Sequence, residues 1–162
     1  MSNIFSPQDI LRIAIRVERN GEELYRVLEE KEKNEKLRNI WKYLKEQELL
    51  HQKTFQEMLD KVGDYIVYEF SPGEYSAYMK AIASSYILTQ GLIEKKTKEL
   101  FENSLEAIEF GIYVEKESIL TYTAFREYVL AQKQPVLERI IEEEKRHLVR
   151  LSLLREEFKK GA

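Results

Sequence analysis

Histidine occurs only twice in these 162 residues, and each histidine closes a Glu-x-x-His motif. The first motif pairs Glu48 with His51, and the second pairs Glu144 with His147. On an α-helix, residues three apart lie on the same face, about one turn from each other. The two motifs therefore predict two matching helices, each presenting a carboxylate beside an imidazole.

A lone glutamate precedes each motif at almost the same distance. Glu18 lies 30 residues before Glu48, and Glu115 lies 29 residues before Glu144. The segments 14–25 (AIRVERNGEELY) and 111–122 (GIYVEKESILTY) share isoleucine, Val-Glu and tyrosine at an offset of 97. This internal similarity predicts a duplicated helical hairpin. The alternative is that glutamate-rich helices resemble one another by composition, but the shared positions of the two halves include both histidines.

The chain is predicted to be almost entirely helical, because its long segments are rich in Glu, Lys, Leu and Ile and proline occurs only three times. Capping and breaking residues set the expected bounds. We expect a first helix from Ser6-Pro7 to about Glu32, a turn at 33–35, a second helix ending before Gly63, a crossover over 63–103 with a short helix from Glu74 to about Leu88, a third helix from Asn103 to about Ala131, and a fourth with Pro135 in its first turn.

Two antiparallel hairpins joined by one long crossover have the ferritin-like connectivity. The expected fold class is therefore all-α, a ferritin-like four-helix bundle. Because 162 residues is about the length of one domain, the chain is predicted to form a single domain over 1–162.

Heptad stepping places the glutamates and histidines on the inward seams of the four helices. In the second helix the seam contains Trp41 and Phe55, which we expect in the core, and only Glu48 and His51 interrupt its apolar character. The other three seams are interrupted in the same way. The predicted metal ligands are Glu18, Glu48, His51, Glu115, Glu144 and His147.

Four buried carboxylates require compensating positive charge, because desolvating an unpaired charge costs several kcal/mol. Carboxylate and imidazole ligands suit iron or manganese. The pattern thus predicts two iron ions, with manganese or a mixed pair possible. The alternatives are a mononuclear zinc or manganese site, or glutamates and histidines on solvated faces.

Other polar residues lie beside these positions. Tyr25 and Tyr122 follow Glu18 and Glu115 by seven residues on the same seams, so they are predicted either to support the ligands or to pack in the core. Helical phase alone excludes several neighbouring glutamates, of which Glu22 is the closest competitor. The excluded glutamates are Glu22, Glu23, Glu46, Glu117, Glu142 and Glu143.

Composition narrows the classes of function. A net charge of −3 with interspersed signs argues against nucleic acid or an anionic membrane as the main partner. The absence of cysteine excludes disulfides, iron–sulfur clusters and thiolate catalysis within these residues. Any electron donor is expected to be external. No signal peptide or membrane-spanning run is apparent, so a soluble cytoplasmic protein is predicted.

The succession of Val-Glu-x₆-Tyr and Glu-x-x-His, repeated once over four helices, resembles the di-iron domain of the rubrerythrin family. The resemblance implies that Glu48 and Glu144 bridge two metals, that His51 and His147 each bind one metal, and that Glu18 and Glu115 are terminal ligands. It implies an oxidoreductase of oxidative stress that reduces hydrogen peroxide, or that oxidises ferrous iron with peroxide or dioxygen. No catalytic residue apart from the metal ligands is predicted.

Two departures from that family pattern affect the expected activity. The rubredoxin domain of rubrerythrins needs cysteines, which this sequence lacks, so a separate donor protein such as a rubredoxin is expected. Ser118 stands where rubrerythrins often have a further glutamate. Iron binding or storage without turnover, and a di-iron oxygenase or hydroxylase, remain alternatives. The tyrosine-rich crossover (Tyr65, Tyr68, Tyr75, Tyr78, Tyr86) predicts a subunit contact, and hence a homodimer.

Overall fold

The computed structural model describes residues 6–63, 74–85, 93–95, 98 and 103–161. Within these residues the regular structure is helical, as predicted. The bounds are α1 Pro7–Lys31, α2 Glu35–Lys61, α3 Glu74–Ser85, α4 Ser104–Phe125, a 3₁₀ helix Arg126–Tyr128, and α5 Gln134–Lys160.

Local capping explains where the first hairpin begins and turns. Ser6 and Asp9 form a reciprocal capping box at the start of α1, with Pro7 in the first turn. The side chain of Asn34 accepts a hydrogen bond from the backbone N–H of Leu37 at 3.0 Å, which caps α2. A short polar turn between α1 and α2 makes the two helices antiparallel neighbours.

The second hairpin begins as predicted, but its first α-helix ends earlier than expected. Asn103 caps α4 by accepting hydrogen bonds from the backbone N–H groups of Leu105 and Glu106. The α-helix was expected to reach about Ala131, yet it ends at Phe125 and tightens into the 3₁₀ helix. This tightening buries Tyr128 at the end of the bundle, while the side-chain amide of Gln134 donates to the carbonyls of Arg126 and Val129.

The apolar core is divided in two by a polar layer at mid-bundle. One half surrounds Phe55 and Tyr122, and the other surrounds Tyr25 and Trp41. The helix α1 packs along α2, α4 packs along α5, and α1 also contacts α4. The four long helices therefore form the predicted four-helix bundle, with the predicted metal ligands between the two apolar halves.

The short helix of the crossover is present as α3, which begins at Glu74 and packs against α4. Its predicted end near Leu88 lies outside the described residues, as do Tyr65, Tyr68 and Tyr86. Tyr78 on α3 is 49% exposed. Among the described helices, none has a stretch long and apolar enough to cross a membrane.

Candidate metal centre

The six predicted ligands all lie in the buried layer between the two halves of the core. Each has at most 4% of its surface exposed. The pattern of steps of three and four explains this placement, since it keeps each residue on the stripe of its helix that faces the other three helices. The excluded neighbour Glu22 is only partly buried and takes no part in the cluster.

The six side chains form two groups that share two members. The first group contains Glu18, Glu48, His51 and Glu144, and the second contains Glu48, Glu115, Glu144 and His147. Within each group, one oxygen or nitrogen atom per residue lies within 4.8 Å of all the others. Glu48 and Glu144 therefore occupy the position between two possible metal ions.

Both histidines direct the same ring nitrogen at the carboxylates. His51 Nδ1 lies 2.9 Å from Glu144 Oε1 and 3.4 Å from Glu18 Oε2. His147 Nδ1 lies 3.1 Å from Glu144 Oε2 and 3.6 Å from Glu115 Oε2. The two rings face each other with centroids 6.0 Å apart. This arrangement brings one imidazole to each group.

The cluster perturbs the protonation of its own members. Burial, together with the charges of Glu18 and Glu144, raises the pKa of Glu48 well above its usual range. Burial and the charge of Glu144 raise the pKa of Glu115 to about 8. Burial opposes ionisation of Glu144 as well, but its contacts with His147 and His51 hold its pKa well below the usual range. In the metal-free state, protons therefore supply part of the compensating charge.

The histidines respond in the opposite sense to burial. Desolvation alone would lower the pKa of His51, but the negative charges of Glu18 and Glu144 raise it to about 12. The pKa of His147 is likewise lowered by burial and raised by Glu115 and Glu144, to about 9. The carboxylates thus stabilise the protonated form of both imidazoles. A bound metal ion would supply the same positive charge in place of the protons.

The donor atoms fit a pair of divalent metal ions. Two buried carboxylate oxygens, Glu18 Oε2 and Glu115 Oε2, have no hydrogen bond among the described residues, and each faces a histidine Nδ1 at 3.4 Å or 3.6 Å. Unpartnered polar atoms are expensive in a protein core, and a metal ion would satisfy them together. Four carboxylates would also balance the charge of two divalent ions. Carboxylate and imidazole donors match iron or manganese.

The tyrosines that follow the lone glutamates contact each other's helices. The Tyr25 hydroxyl on α1 donates to Glu115 Oε1 on α4 at 2.5 Å, and the Tyr122 hydroxyl on α4 donates to Glu18 Oε1 on α1. Both rings are fully buried. Burial and the nearby charges of Glu115 and Glu48 raise the pKa of Tyr25 well above its usual range, which keeps its hydroxyl a donor. The two hydrogen bonds thus join equivalent positions of the two sequence repeats.

Two residues at the site were not assigned a role from the sequence. Glu143, excluded by helical phase, accepts a hydrogen bond from His51, its Oε2 lying 2.8 Å from Nε2. Gly21 lies directly against the carboxylate of Glu48. Position 143 immediately precedes a predicted ligand, which is the one sequence signal that pointed to it. Ser118 is 95% buried one turn after Glu115, so no seventh carboxylate enters from that position.

A four-helix bundle with a glutamate on each of two helices and a Glu-x-x-His motif on each of the other two is the architecture of the ferritin-like diiron carboxylate proteins. Comparison with known families agrees. The rubrerythrin family model matches residues 9–155, and the chain belongs to that family. The resemblance inferred from the motifs is thereby confirmed.

A solved structure gives a similar result. A candidate ferritin-like diiron-carboxylate protein from Thermotoga maritima superposes with a TM-score of 0.64 and 28% sequence identity. The match covers 95% of this chain and 97% of the other. No functionally curated protein matches the sequence.

Proposed function

We propose that this protein is a di-iron oxidoreductase that reduces hydrogen peroxide or oxidises ferrous iron, using an external electron donor. The observation that carries the proposal is the pair of buried ligand groups that share Glu48 and Glu144. Membership of the rubrerythrin family supports the same chemistry.

In this proposal, each residue has one role toward the metals. Glu48 and Glu144 belong to both groups, so they would hold both ions. Glu18 and His51 would complete one position, while Glu115 and His147 would complete the other. When bound, two ferrous ions supply the two electrons that convert one hydrogen peroxide and two protons into two molecules of water, and their positive charge stabilises the developing oxygen anions.

The protein's own side chains hold this site in place and keep it dry. The hydroxyl of Tyr25 fixes one oxygen of Glu115, and that of Tyr122 fixes one oxygen of Glu18, which leaves the second oxygen of each glutamate for the metal. The apolar side chains of Phe55 and Trp41 close the layer on its two sides. Such a supported, water-poor site strengthens electrostatic interactions with a bound ion.

The two electrons must be restored after each turnover. The sequence contains no cysteine to ligate a rubredoxin-type iron, so the proposed donor is a separate redox protein such as a rubredoxin. A homodimer in the cytoplasm is the proposed setting.

The direct test is repeated addition of hydrogen peroxide to the ferrous-loaded protein, following peroxide loss and the absorbance of the di-ferric state. We expect stoichiometric peroxide loss at one peroxide per two irons, faster than with the same concentration of free ferrous iron. The matched control is the Glu48→Ala variant treated identically. Consumption no faster than that of free iron would contradict the peroxidase proposal.

Iron uptake under dioxygen separates the ferroxidase and storage alternatives. A ferroxidase of this kind is expected to oxidise added ferrous iron while retaining about two irons per chain, in line with the two ligand groups. A storage protein would retain many more irons per chain and would form a large shell under native mass measurement. Retention far above two irons would therefore favour storage over the proposed redox function.

A further inference from the structure

The two histidines of the site differ on the side that faces away from the carboxylates. His51 Nε2 lies 2.8 Å from Glu143 Oε2. His147 Nε2 is buried and has no hydrogen bond among the described residues. The two halves of the site therefore match in their predicted ligands but not in the support behind the imidazoles.

The sequence repeat explains the difference. The second helices of the two hairpins align at an offset of 96, so the position equivalent to Glu143 in the first hairpin is Gln47. Its neutral amide does not hydrogen-bond to His147 Nε2. The two hairpins therefore share the predicted ligands but differ in one carboxylate beside them.

An aromatic ring and a cation lie near His147 instead. The Tyr43 ring meets the His147 ring edge to face, with centroids 5.8 Å apart and an angle of 88° between planes. The Tyr43 ring also contacts Arg150, whose guanidinium carbon lies 4.5 Å from the ring centroid. Tyr43 thus packs against the imidazole, but it does not accept a hydrogen bond from Nε2.

A carboxylate that accepts a hydrogen bond from the remote nitrogen of a histidine fixes the ring and makes the ligating nitrogen more basic. Loss of such support typically lowers metal affinity by about 10- to 100-fold. We propose that Glu143 is a positioning residue for His51 and makes the two metal positions unequal, so that the Glu18–His51 position binds its ion more tightly than the Glu115–His147 position. This inference rests on the proposed metal site.

Manganese(II) alone is a suitable test ion, because free Mn²⁺ is measured directly by electron paramagnetic resonance. For the unchanged protein we expect two binding steps whose affinities differ by about tenfold or more. In crystals grown with one Mn²⁺ per chain, anomalous scattering at the manganese edge is expected beside His51. In Glu143→Ala, the tighter step should weaken by about tenfold and the preference for one position should disappear.

Two further variants separate positioning from a general loss of charge or fold. Glu143→Gln keeps a hydrogen-bond acceptor without the charge, and we expect it to recover part of the lost affinity. Glu142→Ala removes the same charge one residue away, where the carboxylate contacts Lys145 rather than a histidine, and we expect it to leave both steps unchanged. Glu143 is itself partly exposed, so its replacement should leave the helical content unchanged by circular dichroism.

The outcomes distinguish this inference from the metal site on which it rests. Two equal binding steps in the unchanged protein, a first Mn²⁺ beside His147, or equal losses in Glu143→Ala and Glu142→Ala would overturn the inference alone. Absence of Mn²⁺ from both positions would overturn the metal-site proposal as well.

Discussion

Gly21 leaves room for the carboxylate of Glu48: a β-carbon at position 21 would lie 2.7 Å from Glu48 Oε2. That distance is well inside van der Waals contact, so one of the two groups would have to move. Because the proposed bridging carboxylate is held between two helices, the space beside Gly21 belongs to the geometry of the metal site.

Gly21→Ala is therefore expected to displace Glu48 and to weaken metal binding by at least about tenfold, as for other losses of ligand support. Isothermal titration of the metal-free protein with Mn²⁺ measures the change. Gly111→Ala is the matched control, because it is also helical and its added β-carbon would meet Leu151 Cδ1 at 3.1 Å and the Trp41 ring rather than a ligand. Equal affinities in the two variants would refute the role given to Gly21.

Removal of either tyrosine hydroxyl should have the same effect, because the two contacts are reciprocal. Tyr25→Phe leaves Glu115 Oε1 without its donor, and Tyr122→Phe does the same to Glu18 Oε1. A buried acceptor that loses its partner costs about 1–3 kcal/mol. We expect a loss of this size in metal-loaded stability, measured by chemical unfolding. Tyr113→Phe, on the exposed side of α4, should change it little; a loss in only one of the two variants would contradict the symmetry.

Replacement of proposed ligands should separate metal binding from folding. Burial raises the pKa of Glu48 well above its usual range, so in the metal-free protein a neutral glutamine resembles the protonated residue. Glu48→Gln is expected to lower metal content below two ions per chain, measured by elemental analysis. Its metal-free unfolding free energy should stay within about 1 kcal/mol of the original. His147→Ala should also lower metal content, and full retention in both variants would refute the ligand assignment.

The stability of the metal-free protein should fall as pH rises from about 6.5 to 9. The pKa values of Glu115 and His147 are raised to about 8 and about 9 in the folded state, above their ordinary values of 4.5 and 6.5. The folded state therefore binds more protons than the unfolded state in this interval, and stability is lost as they dissociate. Thermal unfolding of the metal-free protein at several pH values measures the effect. A midpoint that rises over the same interval would contradict it.

Metal binding should change with pH in the opposite direction. An ion that enters the Glu115–His147 position displaces protons from both residues, so the affinity of that position should increase between pH 6.5 and 9. Proton release on addition of Mn²⁺, measured in a weakly buffered solution with an indicator dye, is the readout. Binding without proton release would contradict the protonation assigned to the metal-free cluster.

Much of this architecture was predictable because helical periodicity decides which side chains face inward. The seam through Trp41, Glu48, His51 and Phe55 is buried as the sequence indicates. The six predicted ligands come together for the same reason. The early end of α4 was not predicted, because the burial of Tyr128 and the capping by Gln134 depend on contacts that the sequence pattern does not contain.

The roles of Glu143 and Gly21 depend on how far apart neighbouring helices lie, and not on the position of each residue around its own helix. Glu143 lies one residue before Glu144, and therefore about 100° around α5 from the seam. It reaches His51 only because α2 and α5 lie close enough for a side chain on the flank to span the gap. Likewise, the crossed hydrogen bonds of Tyr25 and Tyr122 depend on the relative heights of α1 and α4 in the bundle, which the sequence pattern does not give.

Each ligand group contains residues from both hairpins: the first hairpin contributes three members of one group and a single member of the other. Neither hairpin alone can enclose a metal ion, whereas two copies of one hairpin related by a twofold axis would complete both groups. A bound metal pair would therefore tie the two halves of the chain together as a cross-link does, with each ion opposing the separation of the hairpins. Loss of the metal pair would then remove a connection between the two halves of the molecule as well as the proposed reactive centre.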